Sequence, residues 1–250
     1  NTQAGDFMVL LQFFETKPKE QENVLTFLKN EFPEITSLLY CINSKANDTL
    51  YDQEINLFAG KDHLIETMGT LKFKITSKSF YQTNPKQAYA LYELVKSFAA
   101  LEGNEIVYDL YSGTGTIALF LAALCKKIVG VESIPEAVED AKYNAQINQV
   151  KNATFEVGDM KHIFDKTFIE KHGKPDLIVA DPPRDGMHKK VIHQIIALQA
   201  PKLIYVSCNS ATQARDLEKL SCIYNVEISQ AVDLFPQTSH VENVVLLRRK

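Results

Sequence analysis

A thiol at the end of an apolar run, an acid followed by two prolines and a glycine turn before a helix are the parts of this chain that could do chemistry. Leu203-Ile204-Tyr205-Val206-Ser207-Cys208-Asn209 starts as a buried strand and ends in small polar residues, which sets Cys208 at the carboxyl edge of a sheet. A free cysteine there is either a small apolar filler or an accessible thiol, and its own strand does not decide between them. Ala180-Asp181-Pro182-Pro183-Arg184 ends another apolar run. Its prolines fix an extended loop and aim Asp181 into the same cleft, the alternative being an ordinary stiff turn. In Asp109-Leu110-Tyr111-Ser112-Gly113-Thr114-Gly115-Thr116, Gly113 and Gly115 let backbone approach a ligand at a helix amino terminus. Another run ends in Val131-Glu132, where an acid can accept from both hydroxyls of a ribose. Together the turn and the acid point to an adenosine-type ligand. Position 118 is Ala, tolerated where a dinucleotide fingerprint has glycine, so the glycines leave dinucleotide and S-adenosylmethionine open.

The elements that must position these residues alternate from Pro85 onward. A helix from Pro85 to Ala100 leads into strand Glu105–Leu110, helix Thr116–Leu124, strand Lys127–Val131, helix Pro135–Ile147 and strand Ala153–Val157. There follow a polar helical segment over 160–171, strand Asp176–Ala180, a helix over 188–199, strand Lys202–Val206 and helix Ala211–Leu220. Strands spaced by helices predict an α/β, doubly wound, mostly parallel sheet with right-handed crossovers. Two closing runs near 223–232 and 241–248 have no helix between them and predict an antiparallel edge pair. Upstream, strands at 7–14, 35–42, 53–59 and 71–76 around a helix at 18–32 predict a small α+β domain over 1–76, with the larger domain over 77–250.

Composition narrows the class. The chain is 45% hydrophobic, without a run approaching the roughly 18 apolar residues of a membrane span. Its four cysteines, Cys41, Cys125, Cys208 and Cys222, include no C-x-x-C pair, which argues against a zinc site and for reduced thiols in the cytosol. It opens on Asn1 rather than methionine, as a piece of a longer protein would. The net charge of −4 does not advertise a nucleic-acid binder, but its distribution is uneven. Residues 1–69 are net −6, whereas 70–96 carry Lys72, Lys74, Lys78, Lys86 and Lys96 against Glu93 alone. Such a strip either holds phosphates or is a solvated face.

Six motifs in order and in register resemble the RNA (uracil-5-)-methyltransferase family: Phe80-Tyr81-Gln82-Thr83-Asn84, Asp109 to Gly115, Gly130-Val131-Glu132, Asp181 to Arg184, Tyr205 to Asn209, and Phe235-Pro236-Gln237-Thr238-Ser239-His240-Val241-Glu242. They span about two thirds of the chain, and the last is more similar to the ribosomal-RNA branch than to the tRNA branch. The resemblance implies a Rossmann-like class I methyltransferase domain that uses S-adenosylmethionine, releases S-adenosylhomocysteine and forms 5-methyluridine. Carbon 5 of uracil is a poor nucleophile, and a thiolate adding to carbon 6 turns the ring into an enolate whose carbon 5 can take a methyl group. By position, Cys208 matches the family's nucleophile and Glu242 the acceptor of the proton left on carbon 5. Cofactor contacts are implied for Gln82, Tyr111, Gly113, Gly115, Thr116, Glu132, Asp159 and Asp181; Asp181 holds cofactor, uracil edge or both. Read as plain residues, Gln82 is a turn residue, Tyr111 a core aromatic and Asp159 a helix cap.

A cysteine thiol of ordinary pKa is mostly protonated at neutral pH, so a neighbour should favour the anion or accept its proton; a charged Asp181 would work against it. The implied partner is RNA with a flipped uridine, met by a cytoplasmic and monomeric enzyme without a membrane contact. Arg184, Lys189, Lys190 and Arg215 join the basic strip as a candidate phosphate track. Family members often carry an upstream oligonucleotide-binding barrel, and some an iron–sulfur cluster. Neither is visible here: apart from Cys125, Cys41 is the cysteine before the catalytic region and one thiol cannot hold a cluster, so no metal and weak RNA affinity are expected of this chain alone. Two other readings compete: an amino-group methyltransferase of the Asp-Pro-Pro type, although Arg184 stands where that loop has an aromatic residue, and a non-catalytic RNA-binding module.

Overall fold

Short apolar runs and one amphipathic helix build the amino-terminal part of the chain. In the computed structural model, which describes residues 2, 5–45, 50, 52–79 and 81–250, two units form: 1–81 and 82–250. The first contains β1 (Phe7–Phe13), α1 (Pro18–Glu31), β2 (Ile35–Ile42), β3 (Asn56–Gly60), β4 (His63–Met68) and β5 (Leu71–Thr76). Strands β1 and β2 pair in parallel, β3 adds antiparallel to β2, and β4 and β5 form a hairpin. The expected strands are present, and β4 is additional. Its buried side is Leu64, Glu66 and Met68, and the acid in that row masks the alternation by which a strand is recognised. Phe80, the first residue of the first family-like motif, lies outside the described residues.

The second unit opens with α2 (Pro85–Ala99), started by Pro85 and capped by Asn84, whose side chain accepts from the Gln87 N–H at 3.3 Å. There follow β6 (Ile106–Leu110), α3 (Thr116–Ala122), β7 (Lys127–Glu132), α4 (Pro135–Ile147), β8 (Ala153–Val157), α5 (Lys166–His172), β9 (Leu177–Ala180), α6 (Lys189–Leu198), β10 (Lys202–Ser207), α7 (Ser210–Leu220), β11 (Tyr224–Val232) and β12 (Glu242–Arg249). The helical segment expected over 160–171 is shorter: Asp165 accepts from the Phe168 N–H at 2.8 Å and starts α5 there, with turns before it. Among the described residues no helix is long and apolar enough to cross a membrane.

One sheet of seven strands runs in the order β11-β12-β10-β9-β6-β7-β8. Strands β6 to β10 are parallel, and β12 is antiparallel to both β10 and β11. The closing strands form the antiparallel edge pair that the sequence suggests, with β12, the later of the two, lying between β10 and β11. Val244 to Leu247 are buried in succession, as a strand covered on both faces requires, whereas most of β11 is exposed. The order reverses between β6 and β9, so the crevice for a ligand opens beyond the carboxyl ends of these strands. Since β12 runs the other way, its amino end, Glu242, arrives at that same edge.

Candidate active site

Register fixes which side chains meet at the edge. Leu110 of β6 pairs with Ala180 of β9, and Ala180 pairs with Tyr205 of β10, so Tyr111, Asp181 and the end of β10 leave the sheet at neighbouring points. Ser207 pairs with Asn243, which puts Cys208 and Glu242 one step beyond the last rung of the β10/β12 ladder. The Asp181 N–H donates to the Leu110 carbonyl oxygen at 3.4 Å, continuing the ladder into the Asp-Pro-Pro loop.

The glycine turn is built for close approach. Tyr111 takes φ 64°, a left-handed conformation that costs a non-glycine residue about 1–3 kcal/mol and persists only where surrounding structure enforces it. Here the Ser112 N–H donates to the Val131 carbonyl at 3.1 Å and Asn144 Nδ2 to the Thr114 carbonyl at 3.0 Å. Gly115 caps α3 at φ 81°, and a Cβ on it would stand 2.8 Å from the Phe155 ring. Gly113, by contrast, faces open space, with nothing within 4 Å of where a Cβ would be. Its N–H donates to Glu132 Oε2 at 3.1 Å. The other oxygen of Glu132 accepts from the Ser133 N–H, the Ser133 hydroxyl and the Ile134 N–H at 2.6, 3.0 and 3.0 Å. Glu132 is thus oriented at the tip of β7, with acceptor capacity left on Oε2 for a hydroxyl.

The open face at Gly113 and this carboxylate fit an adenosine-type ligand. Two buried groups beside them fit the same description: Ser112 Oγ and both Asp109 carboxyl oxygens lack a hydrogen-bond partner. Burial and the nearby charge of Asp181 push Asp109 well above the usual carboxylate range, the Ala118 N–H offering partial compensation without reaching hydrogen-bond geometry. Thr116 is half-buried in the first turn of α3, with Oγ1 3.4 Å from that of Thr114. Gln82 is half-buried two residues before Asn84, whose Nδ2 reaches the Leu234 carbonyl at 2.9 Å and so ties this segment to the β11–β12 connection. Asp159 is exposed; Oδ1 accepts from the Lys161 N–H at 2.9 Å, which holds its carboxyl below the usual range and makes it the cap of a local turn. Burial first, then the charges of Asp216, Asp159 and Glu132, push the Tyr111 hydroxyl up to about 12.

Cys208, Asp181 and Glu242 form an electrostatically coupled group. Cys208 is half-buried; burial raises its thiol pKa, the charges of Glu242 and Asp181 raise it further, and Arg184 opposes them. Asp181 is pushed from 3.8 to about 7 by burial and then by Glu242. Burial alone raises Glu242, which is 8% exposed. Arg184 is thus a cation acting on the thiol, a role its sequence position did not announce. Its guanidinium Nη2 lies 2.9 Å from His240 Nδ1, joining the Asp-Pro-Pro loop to the loop before Glu242. The group can supply a thiol, two carboxyls with raised proton affinity, and one positive charge.

The expected phosphate track is only partly available. Arg215 is engaged with Asp216 at 2.9 Å and with the Asp185 carbonyl at 2.8 Å, Lys96 pairs with Glu93 at 3.2 Å, and Lys190 contacts His162 at 3.1 Å. Lys86 and Lys189 are exposed. Among the described residues no group of three or more His, Cys, Asp or Glu stands ready to hold a metal.

Six strands running one way, one antiparallel strand inserted among them and a glycine turn facing an acidic strand tip define the class I methyltransferase fold. A family model described as tRNA (uracil-5-)-methyltransferase matches residues 57–250. The chain belongs to that family. It is 52% identical over 247 residues to an RNA methyltransferase of Bacteroides thetaiotaomicron and 51% identical over 250 residues to one of Porphyromonas gingivalis, neither characterised. The matches cover 98% and 99% of this chain but 54% of each relative, so the chain spans about half their length. Among solved structures it is similar to the Pyrococcus abyssi tRNA (uracil-54, C5)-methyltransferase in complex with S-adenosyl-L-homocysteine. The TM-score is 0.74 at 33% identity, covering 88% of this chain and 52% of the other.

Proposed function

We propose that the chain transfers a methyl group from S-adenosylmethionine to carbon 5 of a uridine in structured RNA, through a covalent adduct on Cys208. The observation that carries this reading is the convergence of Cys208, Asp181 and Glu242 at the sheet edge beside the glycine turn, where both carboxyls raise the thiol's proton affinity and Glu242 raises that of Asp181. Gly113, Gly115 and Glu132 would hold the cofactor's amino-acid and ribose portions, with Gln82, Tyr111, Thr116 and Asp159 around them. S-adenosylmethionine supplies the electrophilic methyl group. Cys208 Sγ adds to carbon 6 of the uracil, its proton passing to a neighbouring carboxylate, and the ring's electron pair moves to the 4-oxygen as an enolate. Asp181, protonated over much of the range below pH 7, can donate a hydrogen bond to that oxygen. After carbon 5 is methylated, Glu242 removes its remaining proton, the carbon 5–carbon 6 double bond reforms and the thiolate leaves. A flipped uridine meets these groups, since a stacked base could not present carbon 6 to a side chain.

The target is ribosomal RNA on the likeness of the Phe235 to Glu242 motif to that branch; tRNA is the second reading, favoured by the similarity to a tRNA uracil-54 enzyme. A soluble cytoplasmic enzyme acting as a monomer completes the proposal. Cys208→Ala tests it. Methyl incorporation into total RNA from a strain lacking the gene should fall by about 10⁴-fold or more, as for loss of a covalent nucleophile. Unchanged turnover would favour the amino-group reading. Mapping the 5-methyluridine lost from that strain distinguishes ribosomal RNA from tRNA.

A further inference from the structure

Helix α7 begins two residues after Cys208, and one of its faces grips the loop that carries Asp181 and Arg184. Asn209 Nδ2 and Thr212 Oγ1 both donate to the Arg184 carbonyl oxygen at 3.2 Å. One turn on, Arg215 Nη2 donates to the Asp185 carbonyl at 2.8 Å, and Asp216 Oδ2 accepts from the Met187 N–H at 2.7 Å. Positions 209, 212, 215 and 216 share a helix face, so four side chains hold three points of one loop.

Asp216 is the centre of this clamp. Its side chain is wholly buried, yet it receives four donors: the Met187 N–H and the Tyr205 hydroxyl at 2.9 Å on Oδ2, Arg215 Nε at 3.0 Å and Nη2 at 2.9 Å on Oδ1. Gly186 takes φ 75°, and a Cβ there would stand 2.6 Å from Asp216 Oδ2, so the loop backbone is pressed onto the carboxylate. An apolar side chain would fill this space at least as stably as a buried ion. What only the carboxylate provides is a fixed position for the loop relative to β10 and α7, the two elements flanking Cys208.

We infer that Asp216 is a positioning residue: with Arg215 it locks residues 184–187 against α7 and so holds Arg184 beside Cys208. This rests on Cys208 being the nucleophile proposed above. The groups acting on that thiol are Glu242 and Asp181 against it and Arg184 for it, so a displaced Arg184 leaves two carboxyls unopposed.

The test uses the full chain and its Asp216→Asn, Arg184→Gln and doubly substituted variants. Alkylation of Cys208 by iodoacetamide, methyl incorporation into total RNA from a strain lacking the gene, and S-adenosylmethionine affinity by calorimetry are measured for each. Asp216→Asn should slow methyl incorporation about 100-fold while weakening cofactor binding by less than about tenfold. It should also slow alkylation, and in the Arg184→Gln background it should add nothing further, because both act through one cation. Effects that multiply in the double variant, or a proportional loss of cofactor binding and rate, would overturn the proposal. Should Asp216→Asn not fold, Arg215→Lys keeps the charge but cannot bridge Asp216 and the Asp185 carbonyl; it should show the same pattern, and wild-type alkylation and rate would refute the clamp. If the wild-type chain methylates no uridine while alkylation still depends on Asp216 through Arg184, the functional reading falls and the clamp stands.

Discussion

Replacing Asp181 by Asn should stabilise this protein while disabling it. In the folded chain burial and the neighbouring Glu242 move the carboxyl from 3.8 to about 7. At about 1.36 kcal/mol per unit, keeping Asp181 ionised would cost about 4 kcal/mol, and water at this partly open edge reduces that to about 2 kcal/mol. A raised carboxyl pKa means that the folded state holds the proton more tightly than the unfolded chain. Its contribution to stability is therefore greatest below about pH 4, declines as pH rises to about 7 and is constant above. Asn carries no charge and escapes the decline. For a unit of this size each kcal/mol is worth about 2–4 °C, so Asp181→Asn should melt about 4–8 °C above wild type at pH 8 and close to it at pH 4. Thermal unfolding followed by circular dichroism at both pH values measures this, alongside methyl incorporation, which should collapse. An advantage equal at the two pH values, or a loss of stability at pH 8, would refute the electrostatic reasoning.

Other perturbations address other parts of the site. Glu132→Gln removes the charge that accepts four hydrogen bonds at the tip of β7 and should weaken S-adenosylmethionine binding about 10–100-fold by calorimetry. Gly115→Ala introduces a Cβ 2.8 Å from Phe155 at a positive φ and should destabilise the second unit by about 1–3 kcal/mol in urea unfolding. Because burial, Glu242 and Asp181 raise the Cys208 thiol, the alkylation rate of Cys208 should still be climbing at pH 9; a plateau below pH 7 would contradict that environment.

Much of the fold was legible because the second unit states it repeatedly: apolar runs end at Leu110, Glu132, Ala180 and Ser207, Pro85 starts the helix before them and Pro135 a helix between them. Once those strands are parallel, their carboxyl ends must lie together, so the residues just beyond them were predictable neighbours. Glu242 was not, except by resemblance, since it stands at the beginning of a strand; only the antiparallel insertion of β12 brings it to that edge. Strand β4 escaped notice because Glu66 sits in its buried row, its charge met locally by the Thr67 N–H at 2.9 Å. Arg215 was expected on a phosphate-binding surface, but its fork is spent on Asp216 and the Asp185 carbonyl. That contact joins positions about 30 residues apart through side-chain directions, which no local pattern encodes. The same is true of Arg184, His240 and Cys208.

A covalent bond between Cys208 and the target base is the central step of the proposed reaction, and Glu242→Gln tests it most directly. Without a proton acceptor, addition and methylation can proceed but elimination cannot. Total RNA from a strain lacking the gene, incubated with S-adenosylmethionine and the Glu242→Gln chain, should yield a protein–RNA species that survives denaturant, with mass spectrometry locating a methylated uridine on the Cys208 peptide. Methylation that continues with no such species, or an adduct on any other residue, would contradict the account.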